Sequence, residues 1–226
     1  MQSPLRKCLP ILAMTASTLF ALPSAQAAFV MTLDDPNDSL SAVTIYDGTG
    51  GDLNGVNGVI TYSGSVGAFM VNVTTGVSKP LIGPAQLDLN SINVSGAAGT
   101  LLVSISDTGF TGNFNALGAS YGGTTQGAVD FDFLYDSANQ QFGGSAFATD
   151  SFTSGGTHYA FSNDLTGAVT PAALFSLTIN TRITHDSAFE VSSFDAQIAP
   201  VPLPATIWLL GAAMAGLATL RRARRS

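Results

Sequence analysis

Apolar and polar residues alternate along most of the chain between residues 42 and 198, and Gly/Asn/Asp/Ser clusters interrupt the alternation at short intervals. Period two is the spacing of a strand with one face in a core and one in water, so the pattern predicts an antiparallel β protein. The expected strands are Ala42–Tyr46, Val59–Tyr62, Ala68–Val73, Leu87–Val94, Leu101–Ser106, Ala128–Tyr135, Ser145–Ala148, His158–Phe161, Leu174–Thr184 and Phe189–Ile198. In one of them Phe131, Phe133 and Tyr135 alternate with Asp130, Asp132 and Leu134. In another Phe175, Leu177, Ile179 and Ile183 alternate with Ser176, Thr178, Asn180 and Thr184. The segments Asp47–Gly58, Gly118–Gly127 and Ser151–Gly156 are rich in turn formers and are expected to be loops. Short, regularly spaced strands of this kind give an all-β fold, a β-sandwich that a jelly-roll-like winding would suit. No repeat of solenoid length is visible.

The two ends break the pattern. Arg6 and Lys7 precede an apolar run from Leu9 to Leu22, and Ala25-Gln26-Ala27 follows with small residues where a signal peptidase requires them. Cleavage is expected between Ala27 and Ala28. Pro10, Ser17 and Pro23 make the run too broken to serve as a membrane anchor. At the other end Val201 to Leu220 carries no charge, and 20 residues of helix at about 1.5 Å each reach roughly the 30 Å of a bilayer core. Arg221, Arg222, Arg224 and Arg225 follow immediately and would hold the C-terminus in the cytoplasm with the body outside. Pro200 and Pro202 read as an extended stem, and Pro204 fits a first helical turn. The layout is therefore a signal peptide over 1–27, an exported β-sandwich over 28–199, and a C-terminal sorting segment with a single transmembrane helix over 200–226.

Val201-Pro202-Leu203-Pro204-Ala205, the apolar span and the arginine cluster together resemble a VPLPA-type PEP-CTERM sorting signal. Leu203 stands where the commoner Pro-Glu-Pro form has a glutamate. The resemblance implies that the tail is read by an exosortase-type enzyme, a membrane-embedded cysteine protease or transpeptidase that removes it and passes the body to the cell surface. It also implies a link with exopolysaccharide and a biofilm matrix. Segments Gly58–Pro80 and Phe175–Ile198 resemble the bodies of other proteins with this tail, which adds a β-rich expectation and no activity.

Charge narrows the partners. Of the 226 residues, 8 are Lys or Arg and 15 are Asp or Glu. Only Lys79 and Arg182 lie between the two ends, so the body carries a net charge of −13. Nucleic acid is excluded as a partner, because phosphate binding needs Lys and Arg. The one cysteine, Cys8, precedes the cleavage site, so the mature body has no thiol for disulfides, metal thiolates or nucleophilic chemistry.

Catalytic motifs are scarce. His158 and His185 are the two histidines, placed in or beside strands without metal-ligand spacing, and no Gly-x-Ser-x-Gly elbow occurs. Acidic groups cluster as Asp34/Asp35/Asp38, as Asp47/Asp52 with Asn54 and Asn57, and as Asp130/Asp132/Asp136. Oxygen ligands in a glycine-rich loop suit Ca²⁺, so Asp47, Asp52 and Asn54 form a candidate ion site, although no acidic residue closes the loop as in an EF-hand. Solvated turn residues are the simpler reading, and no cofactor is required. Asn37-Asp38-Ser39, Asn72-Val73-Thr74 and Asn93-Val94-Ser95 match a glycosylation triplet. Two functions follow: a non-enzymatic structural or adhesive envelope protein, or a secreted sandwich that binds or hydrolyses carbohydrate through aspartates and aromatics such as Tyr62, Tyr121 or Tyr159.

Overall fold

The computed structural model describes residues 29–40, 42–154, 159–201 and 212–214. Among these the chain forms twelve strands: β1 Val30–Asp34, β2 Val43–Tyr46, β3 Val59–Val66, β4 Phe69–Val77, β5 Leu87–Gly96, β6 Gly99–Phe110, β7 Ala116–Thr125, β8 Ala128–Asp136, β9 Ser145–Thr153, β10 Tyr159–Ala168, β11 Phe175–His185 and β12 Val191–Pro200. They pair into two six-stranded sheets, ordered β2-β1-β6-β11-β8-β9 and β10-β7-β12-β5-β4-β3. Every pairing is antiparallel.

Eight of the strands nest as one long ribbon folded back on itself. β8 pairs with β9, β7 with β10, β6 with β11 and β5 with β12. Rolling that ribbon puts alternate rungs in opposite sheets and then seals β11 to β8 and β12 to β7, which is the winding of a jelly roll. The first four strands extend it, β1 and β2 beside β6, and β4 and β3 beside β5.

The alternation that predicted the strands also builds the core. Val129, Phe131, Phe133 and Tyr135 of β8 point inward with Leu177, Ile179 and Ile183 of β11 and Val103 and Ile105 of β6. They meet Leu87 and Leu89 of β5, Leu117 and Ala119 of β7, and Phe194, Ala196 and Ile198 of β12. Rings interlock where the sheets face each other: Tyr121 stacks on Phe131 at 4.3 Å between centroids, and Phe194 meets Phe131 edge-on at 5.1 Å. Each such side chain contributes about 1.5–3 kcal/mol on leaving water.

Four expectations need correction. Residues 118–127, read as a loop, form most of the interior strand β7, and Val30–Asp34, given no strand, forms β1. Glycine in β7 serves close approach rather than turning, since a Cβ on Gly123 would lie 2.2 Å from the Ser193 carbonyl oxygen. The Ser151–Gly156 loop starts later than expected, because β9 runs through Thr153. The loop from Asp47 to Gly58 stands where it was expected. Pro200 is the last residue of β12, paired with Leu117, so it belongs to the sheet and is not a free stem.

Register places the ends of the body. β12 enters beside Ser95 and Thr125 and leaves beside Leu117. β1 begins opposite Ser106, toward the end of β6 that a short loop, 111–115, joins to the start of β7. The first and last described strands therefore have their outer ends at the same end of the sandwich.

Candidate functional site

His185 closes β11 and is 1% exposed, with Nε2 3.0 Å from Ser192 Oγ, and Ser192 Oγ lies 2.6 Å from Thr125 Oγ1. Burial pushes the imidazole pKa down, while Glu190 and Asp186 push it up. The pairing has the composition of a hydrolase dyad. However, Ser192 is fully buried, so its hydroxyl meets no substrate, and the group acts as packing between β7, β11 and β12. His158 lies outside the described residues.

The acidic clusters resolve into turn chemistry. Asp52 Oδ1 accepts from the backbone N–H of Asn54 at 2.8 Å and of Thr61 at 2.9 Å, while Oδ2 accepts from Gly48. Asp47 Oδ2 accepts from Gly58 N–H at 2.8 Å, and Asn54 Oδ1 accepts from Val56 N–H. Burial above all holds Asp47 above the usual carboxylate range. Asp35, Asp38 and Asp136 likewise take backbone donors of their own turns. Asp130 and Asp132 lie on the outer face of β8. Among the described residues no three His, Cys, Asp or Glu side chains are grouped to hold a metal ion.

The aromatics named from sequence scatter. Tyr121 is buried and donates to Asp150 Oδ2 at 2.6 Å, an edge contact between the two sheets that Asn163 Nδ2 shares. Tyr62 is half-buried and donates to the Ser65 carbonyl, and Tyr159 is exposed on the edge strand β10. No concave aromatic platform results from these three.

What the fold does assemble is a polar groove of about 290 Å³ across the outer face of the second sheet. β5 gives Asp88 and Asn90, β12 gives Asp195 and Gln197, and β7 gives Ser120 and Gly122. Register explains the grouping: Gln197 stands between Asp88 and Ser120, and Asp195 stands opposite Gly122 at a β-bulge beside β5. Gly122 adds no side chain, which leaves the floor open. Burial first, and the neighbouring Asp195 carboxylate second, hold Asp88 above the usual carboxylate range. No cation lines the groove. Lys79 is committed to Asp107 at 2.7 Å, and Arg182 is on the other sheet. Tyr121, named from sequence, also borders the groove, while sequence reasoning missed the six residues above; the available signal was the outward parity of Asp88, Asn90, Asp195 and Gln197 in two strands it had found.

A second recess, about 430 Å³ and apolar, lies at the end of the sandwich opposite the exit of β12, between Gly67, Ala68, Phe69, Met70, Ala97 and Phe189. Phe189 is 89% exposed at φ 69°, a conformation a bulky side chain rarely takes.

The last strand ends at Pro200, and Val201, 40% exposed, follows it. A family model for the PEP-CTERM protein-sorting motif matches residues 200–225. The chain carries a PEP-CTERM sorting motif. That motif marks an exported protein addressed to the cell surface. It takes in Val201, Pro202, Leu203, Pro204, Ala205 and the arginines Arg221, Arg222, Arg224 and Arg225, of which only Val201 lies within the described residues. The signal-peptide residues Ala25, Ala27 and Ala28 lie outside them too. Among the described residues no helix is long and apolar enough to cross a membrane, and the expected span falls almost wholly outside that set.

No relative among curated proteins matches the sequence. Among solved structures the chain is similar to the CBM22-1 xylan-binding domain of Paenibacillus barcinonensis Xyn10C, at 12% identity over 64% of this chain and 94% of that one, with a TM-score of 0.31. It is also similar to BiXyn10A CBM1 in its apo form, at 7% identity over 63% of this chain and 96% of that one, TM-score 0.28. A mutant of CBM29-2, a family 29 carbohydrate-binding module, matches at 11% identity over 62% and 89%, TM-score 0.26. Likeness at this level establishes neither a shared ligand nor shared residues.

Proposed function

We propose that the exported body is a non-enzymatic adhesive module of the envelope or extracellular matrix, and that it holds a polyhydroxylated polymer in the groove of Asp88, Asn90, Ser120, Asp195 and Gln197. The groove is the observation that carries the reading. Carboxylates and amides offer paired acceptors and donors at the spacing of neighbouring strands, which suits a ligand rich in hydroxyls. Its position on a sheet face, rather than in a closed cavity, leaves room for a chain to run through. The sealed Ser192–His185 pair supports a binding role over hydrolysis. An exosortase-type enzyme would act on the motif around Val201 to Ala205 and release the body to the surface, after a signal peptidase has cut between Ala27 and Ala28.

The hydrolytic alternative has one observation in its favour, the two carboxylates Asp88 and Asp195 with one pKa displaced upward. A single experiment separates the two. The body recovered from the cell surface is titrated with polysaccharides extracted from the same surface, and both bound polymer and new reducing ends are measured. Binding without new ends supports the module; new ends that vanish in Asp88→Asn replace it with a glycosidase; no binding refutes both.

A further inference from the structure

The groove is built around negative charge, and its chemistry narrows the class of polymer beyond "polyhydroxylated". Asp88 and Asp195 sit on neighbouring strands in a groove that contains no Lys, Arg or His. Asp164 of β10 stands next in the same row, opposite Ser120, and adds a third carboxylate at the margin. The amides of Asn90 and Gln197 and the hydroxyl of Ser120 supply the uncharged contacts.

This inference rests on the binding role given above. We propose that the groove takes an amine-bearing sugar, with the ligand's ammonium held between the Asp88 and Asp195 carboxylates and its hydroxyls taken by Asn90, Gln197 and Ser120. Three arguments support it. An ammonium donates three hydrogen bonds and accepts none, and each carboxylate accepts only, so the pairing satisfies both sides. Two like charges in one groove repel each other and are partly shielded from water, and a cation between them reverses the sign of that interaction. A uronate or sulfated polymer would bring further negative charge to a groove with no counter-charge on a body of net −13, and is rejected. The upward displacement of Asp88 adds a signature: affinity for the amine falls on acidification, beginning above the ordinary carboxylate value of 3.8.

The test compares four oligosaccharides of equal length by calorimetry on the surface-recovered body: a glucosamine oligomer with free amines, its N-acetylated form, a neutral glucan and a uronate. The free-amine oligomer is expected to bind about tenfold or more tightly than the N-acetylated one, in line with one or two charge-assisted hydrogen bonds. Asp88→Asn and Asp195→Asn are each expected to remove most of that preference. Asp195 is exposed and Asp88 half-buried, and for each variant an unchanged melting profile at neutral pH or a rise will show that folding is intact. As an independent variant, Gln197→Lys places a cation in the groove and should abolish the amine preference and admit the uronate. Equal binding of the amine, N-acetyl and neutral oligomers, indifferent to both Asp variants, overturns the amine assignment and leaves the adhesive role standing. Binding of no oligomer overturns both.

Discussion

Lys79 is one of two cations in the body, and its removal offers a sharp test of how the sandwich is held. Its ammonium donates to Asp107 Oδ2 at 2.7 Å and to the Thr108 carbonyl, and it lies 4.2 Å from the centroid of the Phe110 ring. The Asp107 side chain is 1% exposed and that of Lys79 is 23% exposed, so the carboxylate is the partner left stranded when the lysine is replaced by methionine. Removing one member of a buried pair costs about 3–5 kcal/mol. Here the figure is reduced, because Asp107 keeps the Ser78 hydroxyl at 2.6 Å and the Thr108 N–H at 2.7 Å, and because water reaches the lysine. The expected loss for Lys79→Met is about 2–3 kcal/mol, equivalent to a fall in Tm of about 5–10 °C for a domain of this size. Urea denaturation read by near-UV circular dichroism gives the loss directly. Asp107→Leu combined with Lys79→Met should recover much of it, since an apolar replacement of both members leaves no charge to desolvate. A single-variant loss below about 0.5 kcal/mol, or a double variant worse than either single one, would refute the reasoning.

Four further outcomes follow from other contacts. Tyr121, with its pKa pushed up to about 12 by burial and by Asp150, should on change to Phe lose about 1 kcal/mol, with amide exchange rising in β9 and β10. His185 has a lowered pKa, so its contribution is present above pH 6.5 and is lost as pH falls toward the folded value; thermal melts of His185→Gln between pH 7.5 and 5 should show a flatter acid limb than the parent. Asp88 has a raised pKa, so its ionised form opposes folding; Asp88→Asn should match the parent below pH 3.8 and exceed it in Tm as pH rises through the raised value. Gly123→Ala forces a methyl group to 2.2 Å from the Ser193 carbonyl oxygen and should cost about 2 kcal/mol or more in urea denaturation, with β7 and β12 exchanging first.

Alternation alone located the strands whose inward residues are large. Phe131, Phe133 and Tyr135 on one parity with Asp130 and Asp132 on the other could belong only to a half-buried strand, and β8 is that strand. β7 was invisible for the converse reason. Gly118, Ser120, Gly122, Gly123 and Thr124 have the local chemistry of a turn, and their place between β10 and β12 is dictated by neighbours that require small residues. Asp47, Asp52 and Asn54 read in one dimension as turn residues or as ion ligands, and in three they accept from backbone amides of their own loop and of β3. The groove needed knowledge that no local pattern holds, namely that β12 lies between β5 and β7 although more than 60 residues separate it from either. The sorting motif needed none, because its recognition is linear.

β12 joins the groove to the sorting motif. It supplies Asp195 and Gln197 to the groove and ends at Pro200, where the sorting motif begins. Pro200 lies three positions beyond Gln197, about 10 Å along an extended strand. Strand pairing fixes the tail's point of departure relative to the groove, because Pro200 is still in register with Leu117. The groove therefore lies on the side wall of the sandwich toward the end at which β12 leaves the sheet, while the recess beside Phe189 lies at the opposite end.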